Sequence, residues 1–188
     1  MTTISRKDRR ISTYDMTCIA IFVVLMTICS WVSIPAVVVF TMQTFAQFLT
    51  MGMLGGKRST MVVFVYILLG AVGIPVFAGF QGGLGVLFGS TGGYIAGFLL
   101  GPVLLWILES FLGEREWIRP AAMFLSMVLN YVFGTIWFMV VYTNQNGSVT
   151  LSVVLGWCVL PFIIPDFLKL VMALALTKKL KKYVGRQL

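Results

Sequence analysis

Asp166 and Lys169 are the residues of this 188-residue chain whose types and spacing best suit chemistry. They stand three apart in an otherwise apolar stretch, so on a helix they share one face. An unpaired charge at the centre of a membrane helix costs about 2.5–3.5 kcal/mol on insertion scales, so such groups pair or face a cavity. Two readings follow: a structural tie between helices, or one wall of a polar ligand pocket. Pro161 and Pro165 favour the pocket. Proline is tolerated at the first position of a helix, so the last helix is expected to begin at Pro165 and run about 27 Å to Lys182. The pair would then lie at the end where the helix dipole favours Asp166.

Catalysis has little else to draw on. The chain has no histidine, which removes Ser-His-Asp triads, HExxH zinc sites and most proton shuttles. An aspartyl intramembrane protease needs two membrane carboxylates; Asp166 qualifies, whereas Asp15 and Glu109 fall near the cytoplasmic ends of spans. Gly55-Gly56-Lys57 is not a phosphate-binding loop, because Arg58 follows where Ser or Thr would hold Mg²⁺. Cys18, Cys29 and Cys158 sit in apolar runs without CxxC spacing, as packing residues rather than metal ligands or a disulfide framework. No metal or cofactor and no self-sufficient enzyme is expected, and any ATP hydrolysis belongs to another subunit.

Gln43, Gln47 and Asn130 are further polar groups at membrane depth, and Tyr94, Tyr131 and Trp137 supply aromatic surface. Any one of them could simply bridge helices. Gly85, Gly89, Gly93, Gly97 and Gly101 recur every four residues, a flat ridge that lets a neighbouring backbone approach. Packing is the expected role of the last three. The run 89–94, with Thr91 and Gly92, also suits a ligand-covering loop with exposed amides.

These groups need a scaffold, and composition names it. Hydrophobic residues make up 59% of the chain and charged ones 11%, with a mean hydropathy of +0.98, against roughly 25% charged in soluble domains. Apolar stretches run over 16–33, 37–54, 59–72, 92–112, 120–142 and 149–177. At about 20 residues per crossing, the expectation is an all-α integral membrane protein: one domain over 1–188 with six transmembrane helices.

Arg6, Lys7, Arg9 and Arg10 precede the first span, Lys57 and Arg58 separate the second and third, and Arg115 and Arg119 the fourth and fifth. Lys178, Lys179, Lys181, Lys182 and Arg186 follow the sixth, while the connections after spans one, three and five hold no Lys or Arg. The positive-inside rule then puts both termini in the cytoplasm, as a segment 1–15 and a basic tail 178–188. The net charge of +8 reads as topology determinants beside anionic lipid, not as a nucleic-acid surface. Multi-pass insertion in the cell membrane is expected.

Four segments in order, TMQ at 41–43, YILLGAVGIPVFAG at 66–79, GSTGGYIAGF at 89–98 and PDFLK at 165–169, resemble the BioY family of biotin-specific S components of energy-coupling factor (ECF) transporters. The likeness covers most of the chain from Gln43 to Lys169. In this sequence Ser90 stands where the family usually has proline, and Val24 follows Ala20 where S components commonly repeat alanine. The resemblance implies a six-helix S-component bundle with an extracytoplasmic pocket closed by loops. It also implies biotin as ligand, and a transmembrane coupling protein with two ATP-binding cassette ATPases as partners. Biotin offers two ureido N–H groups, a carbonyl, an apolar thiophane ring and a carboxylate. Asp166 could then accept ureido protons, and Lys169 meet a carbonyl or carboxylate. Asn130 and Gln43 would supplement either end, Thr91 and Gly92 belong to the covering loop, and Tyr94, Trp137 and Phe77 are candidate walls. Open alternatives are an S component for another vitamin, an oligomeric channel and a lipid-modifying enzyme.

Overall fold

The computed structural model describes residues 12–35 and 37–184. Helix α1 (Thr13–Trp31) is opened by a capping box, with Ser12 accepting from the first turn and Asp15 reaching back to the Ser12 N–H. Two short strands follow, β1 (Ser33–Ile34) and β2 (Phe40–Thr41), paired antiparallel with Ser33 opposite Thr41. Residues 37–41, expected inside the second span, are therefore loop and strand. Pro35 cannot continue a helix, and the β-branched run Val37-Val38-Val39 suits extended backbone.

Helix α2 (Gln43–Ala71) is formally one helix but turns back at Gly55, whose φ of 73° and ψ of −179° are not helical. The Gln43 Nε2 donates to the Tyr66 hydroxyl at 2.9 Å; in a straight helix those residues would be about 34 Å apart. The Ser59 hydroxyl likewise donates to the Thr50 carbonyl at 3.0 Å. Only glycine adopts the Gly55 conformation without strain, and next to it Gly56 leaves no room for a Cβ against the Trp106 backbone. The expected second and third apolar blocks are the two limbs of this hairpin.

The chain continues through a 3₁₀ turn (Ala78–Phe80), α3 (Leu84–Leu87), α4 (Gly92–Gly97), α5 (Leu100–Leu112), α6 (Ile118–Asn146), α7 (Leu151–Cys158) and α8 (Leu160–Val184). Five apolar segments are long enough to cross a bilayer: 13–31, 43–71, 92–112, 118–146 and 151–183. Large apolar side chains face outward on them, including Ile21, Val24, Phe111, Ile136 and Ile164. A water-soluble helix buries such a stripe; lipid accepts it. The chain is a multi-pass membrane protein with an all-helical core.

Helix α8 starts at Leu160 rather than Pro165, so Pro165 lies inside it. The helix break that precedes the last helix is at Val159, whose φ of −124° and ψ of −58° separate α7 from α8. Lys178 to Lys182, expected as tail, continue α8; Arg6, Lys7, Arg9, Arg10 and Arg186 lie outside the described residues. The glycine ridge meets α6: Gly93 packs on Trp137, Gly97 on Asn130 and Gly101 on Ser126. It is interrupted between α4 and α5, where the Phe98 carbonyl is satisfied by the Gln47 amide at 2.9 Å. Gly85 has open space and takes no part.

Charged residues gather at the Gly55 end. Arg58 pairs with Asp15 at 2.7 Å, and Glu109 accepts from the Gly56 N–H at 2.7 Å and from Arg119 at 3.1 Å. Arg119 also donates to the Gly52 carbonyl at 3.0 Å, so one ion pair caps both sides of the turn. Replacing Gly56 with leucine should lower the thermal unfolding midpoint in detergent, at an overpacking cost of about 1–3 kcal/mol. Gly156→Ala, at a site with open space, should leave the midpoint nearly unchanged.

Candidate functional site

The opposite end of the bundle holds a cavity of about 750 Å³, counting the space open at its mouth. Its floor is the Asp166–Lys169 pair, 2.8 Å apart and each 3% exposed. Neither ion is left short of partners. The Lys169 ammonium donates to Asp166 Oδ1, to the Thr41 carbonyl at 2.6 Å and to the Thr44 hydroxyl at 3.1 Å. Its remaining side lies 3.9 Å from the centre of the Phe40 ring, a cation–π contact. Asp166 Oδ1 also accepts from Thr44 at 3.0 Å, and Oδ2 accepts from the Tyr131 hydroxyl at 2.7 Å. An ionised carboxylate has about four acceptor positions. Three are filled, so Oδ2 retains one for a ligand donor.

Asn130 is the second polar group of the wall. Its side chain is buried, and its Oδ1 lies against Gly97 with no hydrogen-bond partner among the described residues. The remaining lining is largely apolar: Val38 and Val39 from the strand loop, Phe77 and Ala78, Tyr94 and Ile95 on α4, Phe98 just after it, and Phe162 on α8.

The segment between α2 and α4 forms one side and is fixed from behind. Tyr66 and Ser30 both donate to the Val76 carbonyl, at 2.8 and 2.5 Å, and Trp31 Nε1 donates to the Pro75 carbonyl at 2.9 Å. The Phe77 ring fills the space that Gly70 leaves vacant and meets Tyr66 edge-on.

Of the residues singled out in the sequence, Gln43, Phe77, Thr91, Tyr94, Asn130, Asp166 and Lys169 line the cavity. Trp137 and Gly92 are not among its lining residues. Trp137 donates to the Gly89 carbonyl at 2.9 Å and packs on Gly93, behind the wall. Gly92 is pressed against the Leu87 carbonyl, with no space for a Cβ. Cys158, expected as inert packing, faces the cavity, as do Thr44, Tyr131 and Gln81. Tyr131 was named in the sequence as aromatic surface, and it lines the cavity. Thr44 was not, since its partner is 122 residues away.

A scan of family profiles matches residues 3–186 to the family described as BioY. The chain belongs to the BioY family. Among relatives, the biotin transporter BioY of Thermotoga maritima is 36% identical over 163 residues, which is 86% of this chain and 92% of that protein. The probable biotin transporter BioY of Pyrococcus horikoshii is 32% identical over 168 residues, 89% of this chain and 96% of that one. The fold is also that of a crystal structure described as the S-component for biotin from an ECF-type ABC transporter, with TM-score 0.77 and 24% identity over 90% of this chain and 91% of that one.

Within the family fold, the burial of the pair sets its energetics. Breaking a buried ion pair on one side costs about 3–5 kcal/mol, because a charge is stranded. Lys169→Met alone should therefore lower thermal stability strongly, and adding Asp166→Asn should restore much of it. A double variant as unstable as the single one, measured by thermal unfolding in detergent, would contradict this account.

Proposed function

We propose that this chain captures biotin at the outer face of the cell membrane and serves as the substrate-binding S component of an ECF-type transporter. The observation that carries the reading is the cavity floor, where Asp166 keeps an open acceptor and the Asn130 amide lines a pocket with largely apolar walls. A ureido group needs acceptors for its N–H groups and a donor for its carbonyl, and Asn130 can supply either kind. The thiophane ring would lie among Phe77, Tyr94 and Phe162. Family membership, and relatives described as biotin transporters, point to the same ligand.

The hairpin at Gly55 raises five apolar segments to six crossings, an even number that leaves both termini on one side. Lys57, Arg58, Arg119 and the lysines at the end of α8, Lys178 to Lys182, lie at that end, which the positive-inside rule assigns to the cytoplasm. The cavity then opens outward, with residues 77–91 along its rim. Transport requires a transmembrane coupling protein and two ATP-binding cassette ATPases, whose ATP-driven motion reorients this subunit to release biotin inside.

Because both members of the pair are buried, Asp166→Asn and Lys169→Ala each disturb folding as well as capture. Asn130 offers a cleaner probe. Isothermal titration of the detergent-purified protein should show saturable binding of biotin and none of thiamine or riboflavin. Asn130→Leu should weaken biotin binding about tenfold or more, as expected for a lost polar contact in a buried site, while the thermal midpoint holds. A folded wild-type sample that binds none of the three vitamins would sink the biotin assignment.

A further inference from the structure

The cavity grades from a closed, charged floor to an open, neutral rim. Asp166 and Lys169 form the floor at 3% exposure, whereas Gln81 and Val39 line the cavity yet are themselves exposed, marking its mouth. Lys169 is the one cation among the lining residues. Its three N–H donors are taken by Asp166, the Thr41 carbonyl and Thr44, and its last side by the Phe40 ring. A ligand carboxylate could reach it only by displacing one of these acceptors. It would also leave two anions beside one cation in a site removed from water, and a buried uncompensated charge is among the costliest arrangements a protein can hold.

The other described cations are elsewhere. Arg58 and Arg119 are engaged by Asp15 and Glu109, Lys57 and Arg115 flank the turns at that same end, and Lys178 is nine residues, roughly 13 Å, further along α8 than Lys169. The rim offers the neutral side chains of Gln81 and Thr91.

From this arrangement we infer that the site reads the ureido and thiophane rings and leaves the carboxyl end of biotin at the solvent-facing mouth without an ion pair. It therefore accepts neutral carboxyl derivatives, amides and esters of biotin, as a further ligand class. The inference rests on the biotin reading above and assigns Lys169 to the shaping of Asp166 rather than to the ligand's carboxylate.

The test is titration calorimetry of the purified full-length protein with biotin, biotinamide, biotin methyl ester and a biotin methylated on a ureido nitrogen. Biotinamide and the methyl ester should bind within tenfold of biotin, and the ureido-methylated compound should lose tenfold or more. A hydrogen bond to a charged group is worth about a factor of ten or more. A loss of that size for both the amide and the ester would therefore reveal a charged partner for the carboxylate and overturn the inference. Full binding of the ureido-methylated compound would overturn it as well. If biotin itself fails to bind, the biotin assignment falls and this inference with it; if biotin binds and both neutral derivatives do not, the inference alone falls.

Discussion

Asp166 and Lys169 are each 3% exposed inside a bundle that faces lipid, and two ions held out of water tolerate no missing partner. That requirement organises the upper half of the molecule. Helix α8 supplies both charges, β2 supplies the Thr41 carbonyl and the Phe40 ring, the first turn of α2 supplies Thr44, and α6 supplies Tyr131. Three stretches distant in sequence, residues 40–44, Tyr131 and residues 166–169, meet at one point because the pair must be satisfied there. The outcome is a cavity floor whose polar groups are held in place before any ligand arrives, which lowers the ordering cost of binding. Buried pairs add little stability relative to well-packed apolar residues, so the arrangement is better explained by what the cavity binds than by what the fold needs.

Packing around this floor follows from the solvent. Lipid gives helices no hydrophobic reason to associate, so contact comes from close approach and from polar groups finding partners. Gly93, Gly97 and Gly101 bring α4 and α5 onto α6 at Trp137, Asn130 and Ser126, and Gly134 in turn accommodates the Tyr94 ring. The same approach sets the Asn130 amide against Gly97, so the ridge that joins the helices also positions a cavity-lining residue. Where the backbone breaks between α4 and α5, Gln47 bonds the Phe98 carbonyl and the Ser126 hydroxyl, since an unpaired backbone carbonyl facing lipid costs several kcal/mol.

Much of this was legible because the bilayer restricts what a sequence can do. Apolar runs separated by basic turns fixed the helical class, and Asp166 and Lys169, isolated in such a run, line the cavity. The hairpin was visible as Gly55-Gly56 followed by Lys57-Arg58, even though the two limbs join into one formally continuous helix. Local rules failed where tertiary contacts decide. Pro165 marks a helix start by propensity, yet the break falls at Val159 and α8 runs through the proline. Trp137 has the size and polarity of a pocket wall, but its indole N–H is claimed by the Gly89 carbonyl behind that wall. Thr41 contributes only its main-chain carbonyl to Lys169, a role that no side-chain motif reports.

The layers below the cavity bear on how a ligand could cross. Gln47, 1% exposed, occupies the turn of α2 beneath Gln43, with Phe48 and Met51 equally buried around it. Lower still, Glu109 and Arg119 close the Gly55 turn through the Gly52 carbonyl and the Gly56 N–H. A pore would need a continuous polar lining, whereas the floor pair, the Gln47 layer and the Glu109–Arg119 cap each satisfy their hydrogen bonds within their own layer. Opening a path between them would break all three sets and strand buried charge at the Asp166–Lys169 floor, at several kcal/mol for each ion. Movement of the whole subunit leaves every one of those contacts intact, and so favours a capture component driven by partners over a channel.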